Sequence, residues 1–344
     1  MRRETKKDLQ ARWQTTEGRQ LADEILHRLS GRGWGRHRHP TRPLRGDRPF
    51  KGLALGLVDG RLDLRGLVVP SPDVARAFRA GGMDFVEMAG VHFFRGVCLK
   101  GADLSHADIP ALRAHGCRFE DCLFEKAKLE DLRMWACEFY DCSFKGADLR
   151  NSILGARKDK IDMLYDHVDF SAANLQRSSS STAIFRDCNF SGANLRKFEF
   201  DGSRLFRCTF AGLVREVIFR DHSILGHEDA PANTMEDVDF SLANLRWVEF
   251  HGLDLDKVTF PQDSRHLVIH DYRCVLECAL EYLGDSQGVE HRVLRGKLQF
   301  RLKAAGQRQR VGVFNLDDAI ESGGEPMEKF WVDILSRAQQ DCQG

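Results

Sequence analysis

Large apolar side chains recur at every fifth residue through the middle of the chain. Between Leu99 and Leu154, eleven of twelve such positions hold a large apolar residue, with Ala114 as the exception. The pattern shifts by one residue between 155 and 169, resumes, and continues to Phe260. A period of five fits neither the 3.6-residue repeat of a helix nor the two-residue repeat of a strand. It predicts a solenoid in which each five-residue unit forms one side of a square coil.

The position two residues before each large side chain is usually small, and the other three positions are mostly polar. We therefore expect the large and the small residue of each unit to point inward and the rest to face solvent. About eight coils, stacked at about 4.8 Å, would form a rod about 40 Å long. The predicted structural core includes Phe119, Phe124, Phe139, Phe144, Phe190, Phe210, Cys117 and Cys137.

The units resemble those of the pentapeptide-repeat family. Examples are Gly-Ala-Asp-Leu-Ser at 101–105 and Ser-Gly-Ala-Asn-Leu-Arg at 191–196, and the resemblance covers roughly residues 90 to 260. It implies a mainly β fold, a right-handed quadrilateral β-helix. It also implies a non-catalytic role, because some members bind DNA gyrase or topoisomerase IV as mimics of duplex DNA and protect the enzyme from quinolones. Those members are short, strongly acidic and dimeric through a C-terminal helix, whereas this chain has long extensions.

Three regions follow from these patterns. Residues 1–50 are predicted to form an N-terminal helix and a basic linker, and 51–260 the solenoid, regular from about 90. Pro261 cannot donate to a strand ladder and is expected to end it. Apolar residues at helical spacing in 261–344 predict three helices that cap the rod or form a homodimer interface.

Ten cysteines occur in a sequence whose start carries no apolar secretory segment, which argues against a disulfide framework. Six of them lie at the small interior position of the repeat. A zinc site built from Cys117, Cys122, Cys137 and Cys142 is the alternative, but neighbouring faces of a coil would direct these thiols from different walls. We favour the interpretation that they are core thiols.

Two charged segments are candidate partner-binding regions, because loops on rigid scaffolds often carry function. Residues 226–237 predict a protruding acidic loop, with Glu228, Asp229, Glu236 and Asp237. Residues 31–51 predict an extended basic linker, with Arg36, Arg38 and Arg42. A solvated loop and a surface-wrapped linker without a partner are the alternatives.

No catalytic motif is found, and we predict no enzyme activity, cofactor or metal. His266, His270 and Asp271 have a spacing that resembles a ligand cluster but lack a further ligand at fixed spacing. No apolar run reaches the length of a membrane span. A cytoplasmic location is expected.

The formal net charge is zero, but it is unevenly distributed. Residues 91–260 hold 22 Lys and Arg against 27 Asp and Glu, while residues 1–90 hold 18 against 11. The mildly acidic rod gives weak support to DNA mimicry and topoisomerase binding. The alternative is a scaffold or adaptor that recognises a protein through loops and terminal helices. Free rows of carboxylates along one face would favour mimicry, and interspersed charges would favour the adaptor.

Overall fold

Parallel strands stacked one coil apart form most of the molecule. The computed structural model describes residues 4–30, 50–69, 93–158, 160–226 and 229–343. Two eight-stranded sheets and one three-stranded sheet, all parallel apart from the antiparallel β1–β2 pair, form the solenoid. A two-stranded antiparallel sheet, β20–β21, lies beyond them. The mainly β solenoid with helical ends confirms the predicted fold class.

The strands are short, as expected for the sides of a small coil. They are β1 Leu57–Val58, β2 Arg61–Asp63, β3 Phe93–Arg95, β4 Cys98–Asp103, β5 Arg113–His115, β6 Arg118–Leu123, β7 Arg133–Trp135, β8 Glu138–Tyr140, β9 Ile153–Ala156, β10 Leu164–Asp166, β11 Ser179–Ser181, β12 Ile184–Arg186, β13 Glu199–Asp201, β14 Arg204–Phe206, β15 Thr209–Arg215, β16 Ile218–Arg220, β17 Val238–Arg246, β18 Glu249–His251, β19 Val258–Thr259, β20 His266–Ile269 and β21 Gly312–Asn315. The helices are α1 Lys6–Ala11, α2 Thr16–Leu29, α3 Tyr272–Leu283, α4 Val289–Ala305 and α5 Leu316–Gln343, with a 3₁₀ turn at Arg12–Gln14.

Strand partners on neighbouring regular coils lie four five-residue units apart. Phe119 pairs with Phe139 on one face, and Ala114 pairs with Met134 on another. Single bridges continue the other two faces, as between Asp108 and Lys128. Four five-residue sides therefore close one coil, as the spacing predicted.

Most corners turn through a residue with a left-handed backbone, two positions after the large apolar residue. Glycine fills some corners, as at Gly101 and Gly116, but most hold other residues. His106 and Asp121, for example, have φ of 62° and 51°. The repeat of five is thus a repeat of backbone conformation as well as of burial.

Stacked aromatic rings fill the centre. In one column Phe119, Phe139, Tyr165 and Phe185 stack at centroid distances of 4.7, 5.2 and 4.8 Å. A second column stacks successive rings from Phe124 to Phe260 and meets the first edge-on. The predicted core residues are all at most 4% exposed; they are Phe119, Phe124, Phe139, Phe144, Phe190, Phe210, Cys117 and Cys137.

Two coils carry insertions at the same corner. Leu164 pairs with Glu138, so the coil between them is longer than a regular one by six positions. Glu249 pairs with Ile218, and the coil between these two is longer by eleven positions. The first insertion equals one five-residue unit plus a single residue, which accounts for the one-residue shift in the sequence pattern.

Helices α1 and α2 cover the first coil. The indole nitrogen of Trp13 donates to the carbonyl oxygen of Arg65 at 2.8 Å, and Arg12 pairs with Asp63 at 2.7 Å. Burial alone would raise the pKa of Asp63, but the guanidinium groups of Arg12 and Arg65 hold it well below its usual value.

The C-terminal region has its own apolar core beneath α3, α4 and α5. Helix α5 is broken at Gly323 and Gly324, ahead of Pro326. Cys274 and Cys342, 68 residues apart, form a disulfide that ties the end of α5 to α3. The sequence argued against a disulfide framework and did not predict this single pair, whose side chains meet only after the helices pack together. Six of the other cysteines are free thiols buried in the coils, and Cys278 is also a free thiol.

Candidate interaction surfaces

Opposite charges are paired from coil to coil along the rod. Arg186 lies 2.8 Å from Asp166 and Arg207 lies 2.7 Å from Asp187, and each of these pairs joins two neighbouring coils. Further pairs one coil apart are Lys100–Glu120, Lys128–Asp108, Arg118–Glu138, Arg150–Glu130 and Arg196–Glu216. Exposed pairs of this kind add little stability. They do place a basic side chain beside an acidic one on the neighbouring coil, so basic and acidic side chains are interspersed over the rod.

The two insertions meet along one edge of the rod and form what we call the corner ridge, residues 156–158, 160–162, 221–226 and 229–235. Three coils separate their starting points, a distance of about 14 Å. Even so, the Arg157 guanidinium lies 3.2 Å from the Asp229 carboxylate, and Lys160 lies 3.9 Å from it. The second insertion therefore runs back along the edge to reach the first.

The corner ridge is anchored at its base. The Ser223 hydroxyl donates to one carboxylate oxygen of Asp201 at 2.5 Å, and the Ile224 amide donates to the other at 3.0 Å. Where the chain returns, the Asn233 side-chain oxygen accepts from the Met235 amide at 3.1 Å. The insertion is thus held at both ends and at Asp229.

Two adjacent apolar side chains are exposed on the corner ridge. Ile224 is 69% exposed and Leu225 is 65% exposed. The backbone of Ile224 is fixed by its hydrogen bond to Asp201. An exposed apolar pair on an anchored backbone is suited to contact with a protein. Burial of the two side chains would release free energy, and the fixed backbone would lose little entropy on binding.

The structure separates the predicted acidic residues into two groups. Asp229 lies on the corner ridge, whereas Glu236 and Asp237 belong to the next coil. The Glu236 amide donates to the Leu205 carbonyl at 3.0 Å, and Asp237 occupies a left-handed corner. The predicted acidic loop is therefore too long at its C-terminal end, because the coil ladder resumes there. Glu228 and the linker residues Arg36, Arg38 and Arg42 lie outside the described residues.

The C-terminal region replaces the missing next coil on part of the solenoid's end. On one face, the amide of the large apolar residue donates to a carbonyl of the following coil, as Leu149 does to Asn174 and Leu175 to Asn194. The last residue of this ladder, Leu245, donates instead to Nε2 of His266 at 3.0 Å.

Two further amides of the last coil find acceptors in the C-terminal region. The Trp247 amide donates to the Asp318 carboxylate at 2.8 Å, and the Gly252 amide donates to the Ala304 carbonyl at 2.9 Å. Asp318 is itself buried and pairs with Arg246 at 2.6 Å. The helices thus cap the rod by supplying the hydrogen bonds of a further coil.

The histidine cluster considered in the sequence belongs to this cap. His266 is buried; its Nδ1 lies 2.8 Å from Asp263, and its Nε2 accepts from Leu245. Because Nε2 is an acceptor, Nδ1 carries the ring proton and donates a hydrogen bond to the Asp263 carboxylate. Both ring nitrogens are therefore engaged. His270 is exposed, and Asp271 precedes α3.

The interior thiols act as hydrogen-bond donors within the coils. Cys122 donates to the Glu120 carbonyl at 3.3 Å, and Cys142 donates to the Tyr140 carbonyl at 3.2 Å. The pKa of Cys122 is raised by its hydrogen bond with Cys142 and by burial. Burial also raises the pKa of Cys137. Neutral thiols of this kind fit the interpretation as core residues.

Lys297 on α4 lies at the contact between the rod and the cap. Its Nζ is 4.1 Å from the ring centroid of Trp247 and 5.4 Å from that of Trp331. Burial lowers the pKa of Lys297 to about 7, and the nearby Arg301 adds to the effect. Cation–π attraction to the two rings partly offsets the loss of hydration of the buried ammonium group.

Within the described ranges, no helix has the length and apolar character needed to cross a bilayer.

The geometry defines a quadrilateral β-helix built of five-residue units. The sequence model of the family described as Pentapeptide repeats matches in eight copies, over residues 117–155, 166–202 and 183–212. The repeats and the coil geometry agree, so the matched residues are pentapeptide repeats. None of the curated protein sequences matches it.

The chain is similar in part to several solved structures. QnrB1, a plasmid-mediated fluoroquinolone resistance protein, is 14% identical over 55% of this chain and 91% of its own, with a TM-score of 0.28. HetL of the cyanobacterium Nostoc sp. strain PCC 7120, involved in heterocyst differentiation regulation, is 15% identical over 55% and 92%, with a TM-score of 0.19. Rfr23 of the cyanobacterium Cyanothece 51142 is 13% identical over 42% and 83%, with a TM-score of 0.23. These likenesses carry no argument about function.

Proposed function

We propose that the protein is a non-catalytic scaffold or adaptor that recognises another protein through the corner ridge. The observation that carries this proposal is the joining of two separate insertions by Arg157 and Asp229, with the exposed pair Ile224 and Leu225 on one of them. Regular coils need neither insertion, so the ridge is an addition to a scaffold that is complete without it.

Binding to a type II topoisomerase, DNA gyrase or topoisomerase IV, as a DNA mimic is the second candidate, and the charges support it less well. A mimic of duplex DNA needs rows of uncompensated negative charge. Here the carboxylates of successive coils are paired with arginine or lysine, as Asp187 is with Arg207. Interspersed charge favours the adaptor.

A cytoplasmic location is part of the same proposal. Six free thiols buried in the coils suit a reducing compartment.

The test is affinity capture with a matched pair of variants, quantified by mass spectrometry. Ile224→Asp with Leu225→Asp alters the corner ridge, and Leu213→Asp with Leu242→Asp alters two similarly exposed leucines elsewhere on the rod. The proposal predicts a partner that the wild type and the second variant retain and the ridge variant loses by at least tenfold. A partner retained equally by both variants would contradict it.

A supercoiling assay separates the two candidates. Purified DNA gyrase and a fluoroquinolone are incubated with the wild-type protein or the ridge variant. The adaptor proposal predicts no recovery of supercoiling with either protein. Recovery with both would favour DNA mimicry through the paired faces of the rod over recognition through the ridge.

A further inference from the structure

One strand edge at the end of the solenoid has no following coil. On the ladder that contains the second aromatic column, each phenylalanine amide donates to a carbonyl of the next coil. Phe124 donates to Ser143, Phe144 to Asp169, Phe170 to Asn189 and Phe190 to Thr209. Phe260 is the last residue of this ladder, and no described residue takes up its amide hydrogen.

The carbonyl two residues earlier in each unit has the complementary role. Those of Cys122, Cys142 and Cys188 accept the amides of Ser143, Asp169 and Thr209. The equivalent group in the last coil is the carbonyl of Val258, on β19, which is the edge strand of the three-stranded sheet. The amide of Phe260 and the carbonyl of Val258 are therefore spaced to pair with one residue of an added parallel strand.

The cap closes other faces of the last coil but leaves a groove at this one. His266, Asp318 and Ala304 accept hydrogen bonds from Leu245, Trp247 and Gly252. Beside β19 lies an open groove of about 630 Å³, lined by Leu255, Asp256 and residues 258–260 on one side and by residues of the β20 strand on the other. It therefore has room for an extended peptide along the edge.

The chemistry of the groove is apolar with acidic groups at its rim. Val258, Val268 and Val311 supply apolar surface, and Asp256 and Asp263 supply carboxylates. No Lys or Arg lines it. Among the described residues Asp256 has no basic partner, unlike the carboxylates paired along the rod. The groove is thus complementary to a strand that carries basic side chains.

We propose that the edge formed by Val258 and Phe260 binds an extended segment of a partner protein as an added parallel strand. The segment has a small or β-branched residue, a polar residue and a large apolar residue in sequence, as in the preceding coils, with lysine or arginine facing Asp256. Main-chain hydrogen bonds supply affinity, and the alternate side chains supply specificity. This inference rests on the coil ladder and does not depend on the corner ridge.

The test uses a fluorescein-labelled hexapeptide, acetyl-Lys-Val-Thr-Phe-Lys-Ser-amide, titrated with the full chain and followed by anisotropy. Saturable binding is expected. N-methylation of the threonine removes the amide that would donate to Val258, and it should weaken binding at least tenfold. Equal binding of the methylated peptide would overturn strand addition, and so would no binding of the parent peptide.

Charge is tested with a matched pair of exposed carboxylates. Asp256→Lys, at the groove, should weaken binding of the parent peptide severalfold at low salt, while Asp285→Lys, in the α3–α4 loop, should leave it unchanged. Equal effects of the two variants would overturn the assigned site.

Sedimentation at increasing concentration tests whether a second copy of the chain occupies the edge. A dimer that the parent peptide dissociates would assign the edge to a second copy of the chain and overturn the proposal of a partner segment.

Discussion

Left-handed corner residues set the backbone of every coil, whether or not they are glycine. A side chain other than glycine costs about 1 kcal/mol or more in this conformation. The coils accept this cost at His106, Asp121 and many later corners, because the stacked side chains and ladder hydrogen bonds fix the turn. Where glycine is present, it therefore contributes stability through the backbone alone.

Gly116 isolates that contribution. Its φ is 61°, and a Cβ added there would meet no atom within 4 Å. We predict that Gly116→Ala lowers the free energy of unfolding by about 1 kcal/mol. Gly296 lies in α4 with the same open surroundings, so Gly296→Ala should raise stability by about 0.5–1 kcal/mol. Chemical denaturation measures both, and equal effects would refute the conformational argument.

The stacked rings provide a second residue-scale prediction. Phe124 is buried between Phe119, Phe139 and Phe144. Phe124→Ala should cost about 3–5 kcal/mol, because it removes a ring that the neighbouring coils cannot replace. Asp148→Ala, on the half-exposed outer side of a nearby coil, should cost less than about 1 kcal/mol. Thermal melting compares them, and similar melting temperatures would contradict the assigned register.

At the scale of elements, the cap closes the rod by hydrogen bonding. His266, Asp318 and the carbonyl of Ala304 come from three different elements, β20, α5 and α4. Each replaces an acceptor that a further coil would supply. The arrangement satisfies amides that would otherwise face apolar surroundings without a partner.

His266→Ala tests this capping directly. Loss of the imidazole leaves the Leu245 amide without its acceptor and should cost about 1–3 kcal/mol. Hydrogen exchange of the last coil should accelerate, while that of coils near Phe119 stays unchanged. His270→Ala, at an exposed position on the same segment, is the control. If this variant loses as much protection in the last coil as His266→Ala does, the role given to His266 is contradicted.

Lys297 makes the contact between cap and rod dependent on pH. Its pKa is about 7 in the folded protein, against 10.5 in the unfolded chain, so the unfolded chain binds more protons between these values. Stability should therefore rise with pH from 7 towards 10.5, by at most about 1.4 kcal/mol per unit. Lys297→Met should remove this rise and stabilise the protein at pH 7 and below. Melting curves across pH measure it, and an unchanged slope in the variant would contradict the assignment.

At the scale of the whole molecule, the repeat made the solenoid predictable and the surfaces less so. The five-residue period identified the inward side chains, the coil length and the position of the first insertion. It could not show that the insertions meet, since the contact between Arg157 and Asp229 crosses three coils. Nor could it identify His266 and Asp318 as acceptors, because their role exists only after the helices have docked. The same holds for the disulfide between Cys274 and Cys342.

The zero net charge conceals this organisation. Carboxylates and guanidinium groups alternate from coil to coil, so the rod presents neither a strongly acidic nor a strongly basic face. What distinguishes its surface is the corner ridge on one edge and the open strand edge at one end. Both are departures from the regular repeat, and both favour recognition of proteins.

The central claim is that the cap completes some ladders of the last coil and leaves one open. Amide hydrogen exchange, resolved by residue, tests it most directly. The account predicts slow exchange at Leu245, Trp247 and Gly252, whose amides are capped, and fast exchange at Phe260, in contrast to Phe190 on the same ladder. Protection at Phe260 equal to that at Phe190, or fast exchange at Leu245 and Gly252, would contradict it.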